Sequence, residues 1–436
     1  MSRIVVAGAG HGGLTAAYNL AKAGHSVEVF EKNAEENTGH EWTDGVSMFS
    51  FDKVGMPRPD LSLLAPNKDM VFYNPKKTVT LELEYPKTPD FGFIERRELI
   101  KFLVSQCRQA GVVFHFETPV LSAVCGEQRV RGIKIESENK QKTVFADLVI
   151  DAAGMDSPVR KSLPERFGIP NEIPDKDAFF VYRGLYQKTD DSYFDPRYKV
   201  YFFHCGHPGM DWMITEEDCM DVLIGQFGGI GEKEIEEGLA DFREEYPYLG
   251  DKLLRGGYVS KIPLTRTLPK MVCSGYAAVG DSAGMTVPLN GCGIDLSMRA
   301  GGILARAVSG VTDGDYNERV LWRYQTLYCI IHGNSLVIVS ALRAFLSTLK
   351  ARNIDFLMEK EILSQAEIGM ANGSMSGVDF FYIMKKLKAI LPQAYLVPAA
   401  AKALRGVIKL KKISTCIPGE FSEKKLSAWR KIYESI

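Results

Sequence analysis

The first 31 residues constrain the fold of this chain more strongly than any other stretch. A short apolar run, residues 3–7, leads directly into Gly8-Ala9-Gly10-His11-Gly12-Gly13, and residues 14–23 then carry apolar side chains at helical spacing. After a glycine that suits the end of a helix, residues 25–30 form a second apolar run, which ends in the acidic Glu31. The order strand, glycine turn, helix and strand predicts a β-α-β unit.

The glycine spacing in this unit predicts a site for an adenine dinucleotide. Gly8 would allow the tight turn, Gly10 would let backbone N–H groups approach a pyrophosphate, and Gly13 would let the helix pack closely on the strand. Glu31 follows Gly10 by about 20 residues, the offset at which a carboxylate binds ribose hydroxyls, and the neighbouring Lys32 is a further candidate. A purely structural turn is the alternative, but the strand, the helix and Glu31 together favour the cofactor site.

Composition limits the class of protein. A chain of 436 residues is longer than one hydrophobic core supports, so two or three domains are expected. The 54 acidic and 53 basic residues balance, which gives no indication of a nucleic-acid partner. The first strand begins at residue 3 and leaves no room for a signal peptide, so we expect a cytoplasmic protein. The eight cysteines lack paired spacing, which argues against disulfides and a metal site.

The segment after Glu31 supplies candidates for substrate contact. His40, Trp42 and Asp44 lie in a loop-like stretch that leaves the second strand at the carboxyl edge of the predicted sheet, where ligands bind in such folds. We therefore predict that Trp42 and Asp44 face a substrate. Packing of Trp42 in the interior is the equally weighted alternative.

A second diagnostic stretch lies far along the chain. An apolar strand ends in Gly280-Asp281-Ser282-Ala283-Gly284, and Pro288-Leu289-Asn290-Gly291-Cys292-Gly293 leads into a predicted helix over residues 294–310. The first of these segments also has the Gly-x-Ser-x-Gly pattern of a serine esterase elbow. An elbow requires a helix directly after the serine, and Pro288 and Asn290 argue against one, so the esterase remains a remote alternative.

A third stretch is the apolar run Leu148–Asp151, followed by Gly154 and Ser157-Pro158-Val159-Arg160. Together, the three stretches resemble the flavoprotein superfamily of p-hydroxybenzoate hydroxylase and geranylgeranyl reductase. The resemblance implies that FAD is the cofactor. It places Asp281 at the ribityl hydroxyls and Arg96 at the flavin, since Leu99 and Leu103 complete the Arg-x-x-Leu-x-x-x-Leu pattern. The cofactor-binding residues that we expect are Gly8, Gly10, Gly13, Glu31, Lys32, Arg96, Gly154, Gly280, Asp281, Pro288, Gly291 and Gly293.

The resemblance also singles out Cys292, which lies in the loop that the superfamily lays against the flavin ring. A thiol near a helix N-terminus has a lowered pKa, so we predict Cys292 as a candidate catalytic residue that donates a proton or contacts substrate. The alternative is a small residue that fills a tight turn.

The reaction is less closely defined. Ala153-Gly154 stands where hydroxylases of the superfamily usually carry Asp-Gly, which lowers the expectation of a monooxygenase. Residues 209–214 and 223–225 are similar to the substrate-cavity motif of the reductase branch, so Trp212 is a predicted substrate contact. We expect an FAD-dependent oxidoreductase that reduces a C=C bond of an apolar, isoprenoid-like substrate, with a flavin monooxygenase as the alternative. Because the chain has no second dinucleotide fingerprint, NAD(P)H would react transiently, or a partner reductase would supply electrons.

The predicted fold class is α/β: a Rossmann-like FAD-binding domain, an inserted antiparallel β-sheet substrate domain and a helical C-terminal region. The expected boundaries are 1–69, 95–174 and 265–312 for the first, 70–94 and 175–264 for the second, and 313–436 for the third.

Two features of the C-terminal region bear on membranes. Residues 327–346 are the longest apolar stretch, but His332, Asn334 and Arg343 interrupt it, so a buried helix is predicted rather than a membrane span. Residues 383–436 carry 12 Lys and Arg against 3 Asp and Glu. This excess indicates either a solvated basic face, which we favour, or a surface for peripheral contact with anionic lipid headgroups of a membrane or with a phosphorylated substrate.

Overall fold

The structure is a computed structural model that describes residues 1–85, 88, 90–371, 385–386, 388–390, 393, 396–398, 400–402, 405–406 and 417–434. The strands are β1 Arg3–Ala7, β2 Ser26–Phe30, β3 Thr43–Ser47, β4 Met70–Tyr73, β5 Thr80–Leu83, β6 Phe91–Glu95, β7 Val113–His115, β8 Val120–Cys125, β9 Val130–Ser137, β10 Lys140–Phe145, β11 Leu148–Asp151, β12 Ala178–Lys188, β13 Tyr198–Phe202, β14 Met210–Thr215, β15 Cys219–Phe227, β16 Leu249–Pro263, β17 Val272–Cys273 and β18 Tyr276–Ala278. The helices are α1 His11–Lys22, α2 Met48–Val54, α3 Arg96–Gln109, α4 Pro158–Lys161, α5 Glu232–Glu245, α6 Ile294–Val308, α7 Glu318–Tyr328, α8 Asn334–Leu346, α9 Ala351–Glu359, α10 Gln365–Ala371 and α11 Glu423–Glu434.

The N-terminal β-α-β unit forms the centre of a six-stranded sheet with the order β17-β18-β11-β1-β2-β7. β1 pairs in parallel with β2 on one side and with β11 on the other. Ile4, Val5 and Val6 are fully buried, as expected for a parallel strand with both faces covered. The carboxyl ends of β1 and β11 therefore lie side by side, and both diagnostic glycine segments start close to them.

A second, seven-stranded sheet has the order β16-β12-β15-β14-β13-β4-β5. Neighbouring strands are antiparallel, except that β4 and β13 run parallel. α5 covers one face of this sheet, where Leu239 and Phe242 pack against its strands. β6 belongs elsewhere, because it pairs with β3 in a separate two-stranded sheet. The domain boundaries proposed from the sequence stay a prediction.

The apolar stretch over residues 327–346 departs from the prediction of a buried helix. α7 ends at Tyr328, a π-helical turn follows over Cys329–Gly333, and α8 begins at Asn334. Leu327, at the end of α7, is 42% exposed, and Ile330 and Ile331 within the wider turn are 53% and 54% exposed. Among the described residues, no helix is long and apolar enough to cross a membrane. Most of the basic segment from residue 383 onward lies outside the described residues.

One group of side chains has the composition of a metal site. His204, Cys205 and Asp241 place donor atoms within 4.8 Å of one another. However, the His204 nitrogens already bond Asp211 and Asp241, each at 2.7 Å, and Lys77 bonds the same Asp241 oxygen at 3.0 Å. Because these atoms are occupied by partners of opposite charge, we assign no metal to this group. The seven cysteines among the described residues are free thiols.

Candidate functional site: an FAD crevice

The glycine loop is packed tightly against the end of β11. Gly8 has a φ of +87°, and a Cβ at this position would lie 2.7 Å from the Ala152 carbonyl oxygen. A Cβ on Gly10 would lie 3.0 Å from the same oxygen. A Cβ on Gly13 would meet the side chains of Ala152 and Val6 at 2.6 and 2.9 Å. Larger residues would push the loop and α1 away from the sheet, so this segment has the geometry that a close-packed phosphate cradle requires.

Glu31 braces this loop from the end of β2. Its carboxylate is 8% exposed and accepts hydrogen bonds from the Ala9 N–H at 2.9 Å and from the Asn33 N–H at 3.0 Å. Since a carboxylate has about four lone-pair sites, it could also accept a ribose hydroxyl. Lys32 is exposed beside it. The assignment of both residues to the cofactor stays a prediction.

The two diagnostic segments meet at Ser297 on α6, although about 270 residues separate them in sequence. A Cβ on Gly12 would lie 2.7 Å from the Ser297 backbone oxygen, and one on Gly280 would lie 3.1 Å from the Ser297 Oγ. The N-terminal glycine loop and the Gly280 turn therefore form neighbouring walls of one crevice. One ligand with phosphate and ribityl groups can contact both walls.

Asp151, at the end of β11, is the hydrogen-bond acceptor that connects the Gly280 turn to the neighbouring strands. This buried carboxylate accepts hydrogen bonds from Ser157 Oγ at 2.6 Å, Tyr276 OH at 2.8 Å and Ser282 Oγ at 3.0 Å. Ser282 also accepts from the Gly154 N–H at 3.0 Å. The hydroxyl is fully buried, and no histidine of the described residues bonds it. These contacts overturn the esterase alternative, because the Ser282 hydroxyl is structural.

Asp281 differs from Asp151, since its side chain makes no hydrogen bond within the described part of the chain. Burial raises the pKa of its carboxyl, while the charge of Arg96 acts in the opposite direction. An acceptor that is partly desolvated and has no protein donor fits the hydroxyls of a ribityl chain, which would supply the missing hydrogen bonds. The glycine loop and Asp281 together fit FAD.

Arg96, the first residue of α3, is the electrostatic centre of the crevice. Its Nε donates to Asp44 Oδ2 at 2.6 Å. This pairing lowers the pKa of the Asp44 carboxyl despite its burial. Burial and the Arg96 charge lower the pKa values of His11 and His40 to about 3. Both imidazoles are therefore neutral at physiological pH. The neighbouring Arg97 pairs instead with Glu41, at 2.9 Å.

His11 was missed by the sequence analysis because it lies inside the glycine fingerprint. Its Nε2 is buried without a hydrogen-bond partner among the described residues. An orphaned polar atom in a crevice is expected to bond a ligand. The signal in the sequence is a polar side chain at a variable position of the GxGxxG pattern.

A stack of alternating rings and guanidinium groups lies beside Arg96. Trp42 is 4% exposed, and Arg96 and Arg183 lie 5.6 and 5.5 Å from its ring. Arg183 also lies 5.4 Å from the ring of Trp212. His40 stacks on Trp42 with ring centroids 4.1 Å apart. Trp42 is therefore packed within the wall, as the alternative interpretation of this residue expected.

Arg183 was also missed, although it is a lone arginine in a strand of apolar and aromatic residues. It is 3% exposed, donates from Nε to Asp221 Oδ1 at 2.9 Å, and donates from Nη1 to the Thr43 carbonyl at 3.0 Å. The second bond joins the seven-stranded sheet to β3, which carries Asp44. Arg183 thus holds the seven-stranded sheet against β3.

The expectation of a lowered pKa for the Cys292 thiol is wrong, because its surroundings raise that pKa. The residue is exposed to solvent, but the protein around the crevice desolvates the thiol, and Asp44 and Asp295 add negative charge. Together these effects raise its pKa to about 12 and outweigh the helix N-terminus. Cys292 is therefore a protonated thiol at neutral pH. Its loop is closed by a hydrogen bond from the Val287 N–H to the Cys292 carbonyl at 2.9 Å.

The sheet face near Trp212 is apolar. Phe72, Tyr198, Val200 and Ile214 are buried together, and Ile368 of α10 packs on them. The Trp212 ring contacts Tyr198 edge-on, with centroids 5.9 Å apart. Phe93 and Met210 lie partly exposed at the edge of this buried cluster.

Comparison with known proteins agrees with this architecture. The family described as FAD binding domain matches residues 1–182. Digeranylgeranylglycerophospholipid reductase of Sulfolobus acidocaldarius is 25% identical over 384 residues, which cover 84% of this chain and 82% of that protein.

Among solved structures, a geranylgeranyl bacteriochlorophyll reductase-like protein from Thermoplasma acidophilum superposes with a TM-score of 0.75 at 20% identity, covering 93% of this chain and 99% of the other. The flavin-dependent halogenase CmlS has a TM-score of 0.60 at 18% identity, covering 100% of this chain and 77% of the other. These likenesses show a shared fold. The resemblance predicted from the sequence is confirmed, and the chain is an FAD-dependent oxidoreductase that shares its fold with a geranylgeranyl reductase-like protein.

Proposed function

We propose that the protein reduces carbon–carbon double bonds in the isoprenoid chains of a lipid. The observation that carries the proposal is a set of partly exposed apolar side chains, Phe93, Met210 and Trp212, that edges the buried apolar cluster of the seven-stranded sheet. Such a face suits a long hydrocarbon that needs no hydrogen bonds. The relatives named digeranylgeranylglycerophospholipid reductase support the same class of substrate.

The chemistry would divide between cofactor and protein. Bound FAD, once reduced, supplies a hydride to one carbon of the double bond. Trp212 would contact the apolar chain, while Arg183 and Trp42, packed behind it, would hold its ring in place and exclude water. Cys292 would supply the proton that the other carbon requires, because its thiol is protonated and the residue is exposed. We propose NAD(P)H or a partner reductase as the source of electrons.

Anaerobic reoxidation of photoreduced enzyme tests the function. Polyprenyl lipids should reoxidise the flavin and yield a product heavier by two hydrogens per reduced bond, whereas phenols should not. Mass spectrometry and flavin absorbance give the two readouts. The proposal fails if no alkene reoxidises the enzyme under nitrogen.

A flavin monooxygenase is the second candidate, since the fold is shared with a flavin-dependent halogenase. It predicts that turnover needs oxygen and that a phenol or another electron-rich substrate is oxygenated. The same panel, repeated in air, separates the two reactions.

Removing the thiol of Cys292 tests its proposed role. Changing Cys292 to alanine should leave flavin reduction intact but slow reduction of the alkene by roughly 100-fold, the scale of a lost general acid. Stopped-flow absorbance measures the two half-reactions separately. Cys125→Ala, on β8 away from the crevice, is the matched control. Equal rates for both variants would reduce Cys292 to a residue that fills the turn.

A further inference from the structure

The exposed side chains of the π-helical turn belong to a larger surface. Leu327, Ile330 and Ile331 project from the end of α7 and the turn after it, at spacings that place them on one side. Arg323, one helical turn earlier, is exposed on the same side. With Lys53 and Arg299, these four residues make up what we call the basic aliphatic face.

Lys53 and Arg299 reach this face from neighbouring helices. Arg306 of α6 donates to the backbone carbonyl of Lys53 at 3.0 Å, which fixes the end of α2 against α6. The positive charges of Arg299 and Lys53 both act on His332, directly after Ile331, and with burial lower its pKa to about 4. Both cations therefore lie near the exposed isoleucines.

The cations of this face form no ion pair with any described residue. Within the described part of the chain, no carboxylate forms an ion pair with Lys53, Arg299 or Arg323, and the buried Nε of Arg299 has no hydrogen-bond partner. Asp295 interacts with Arg299 and Lys53 electrostatically but not as an ion pair. Exposed aliphatic side chains beside unpaired cations have the pattern of a helix that lies in a lipid interface.

We propose that the basic aliphatic face docks the protein on an anionic lipid bilayer. The aliphatic side chains enter the acyl boundary, and the cations contact lipid phosphates. This inference rests on the proposed function, since the isoprenoid chains of a lipid substrate would be reached from a membrane. It differs from a contact made through the basic C-terminal tail, because the face consists of α2, α6, α7 and the π-helical turn.

Two physical terms set the strength of the contact. A basic residue near an anionic surface strengthens binding by roughly fivefold at low salt. This term weakens as salt shortens the screening length, whereas the aliphatic term does not. We therefore expect binding that requires anionic lipid and falls, without vanishing, as salt rises.

Co-sedimentation of the full-length, FAD-loaded protein with vesicles tests the proposal. Wild type should bind vesicles that contain phosphatidylglycerol and should bind phosphatidylcholine vesicles weakly. The triple variant Leu327→Gln, Ile330→Gln and Ile331→Gln should lose roughly tenfold or more in partition. The double variant Lys53→Gln and Arg323→Gln should lose roughly twentyfold at low salt. Val113→Gln with Phe145→Gln, at comparably exposed apolar positions (52% and 59%), is the control.

Several outcomes would overturn the docking surface. Undiminished binding of both variants would assign membrane contact to another part of the chain, such as the basic tail. The proposal also fails if the wild type does not bind the vesicles. If, in addition, the variants differ from it only in slower flavin reduction by an acidic electron-transfer protein, the face is a protein interface. Vesicle binding requires no turnover, so an enzyme that binds as expected but reduces no alkene would refute the reductase proposal and leave the docking surface standing.

Discussion

Changing Asp281 to alanine is expected to produce a folded protein that binds FAD about 10- to 100-fold more weakly, the cost of one or two hydrogen bonds to a charged acceptor. The carboxylate bonds nothing else within the described residues, so its partners would be supplied by the ribityl hydroxyls. Burial raises its pKa, which means that the charged form costs more free energy in the folded chain than in the unfolded chain. Removing this charge should therefore leave the melting temperature of the apoprotein unchanged or slightly raised. Fluorescence titration with FAD and thermal unfolding of the apoprotein measure the two effects.

Asp281→Asn is the informative companion variant, because an amide still accepts one hydrogen bond and should recover part of the affinity. Asp313→Ala, at an exposed site, controls for loss of a surface carboxylate. Glu31→Ala should also weaken FAD binding, but it should destabilise the apoprotein as well, since Glu31 holds the Ala9 N–H. If Asp281→Ala retains FAD with wild-type affinity, the turn at Gly280 does not face the ribityl chain.

The cofactor side of this protein could be predicted because its signals are local. The glycine loop, Glu31 and the Gly280-Asp281 turn can each be recognised from a few consecutive residues. The backbone geometry that they require also depends only on neighbouring residues. The structure places Gly8 at a positive φ and brings Gly12 and Gly280 to the same serine of α6, while their contact with one cofactor stays a prediction.

The features that escaped prediction depend on residues distant in sequence. The Cys292 pKa is set by Asp44 and Asp295 and by the walls of the crevice, so the helix N-terminus alone gave the wrong direction. Arg183 looked out of place in an apolar strand because its partners, Asp221 and the Thr43 carbonyl, come from other strands. The exposure of Ile330 and Ile331 follows from a π-helical turn, whose extra residue no apolar periodicity reveals.

Changing Arg183 to methionine is expected to lower the free energy of unfolding by about 3–5 kcal/mol, because it leaves the carboxylate of Asp221 buried without its partner. Asp221 is 1% exposed, so water cannot replace the guanidinium. The double variant Arg183→Met with Asp221→Leu should recover most of this stability, since two apolar side chains of similar size fill the space. Chemical denaturation of the four proteins in a double-mutant cycle measures the coupling.

Stability and function should separate in the double variant. Trp42 and Trp212 would lose the cation that lies between their rings, and β3 would lose its bond from the substrate sheet to the Thr43 carbonyl. We therefore expect FAD affinity close to wild type, an altered near-ultraviolet circular dichroism spectrum from the tryptophans, and slower reoxidation of the reduced flavin by polyprenyl lipid. Arg183→Lys, which keeps the charge but not the planar group that stacks on rings, should recover little of the rate. A double variant that is both stable and fully active would show that Arg183 serves only to neutralise Asp221, and the aromatic wall would then need no cation to position it.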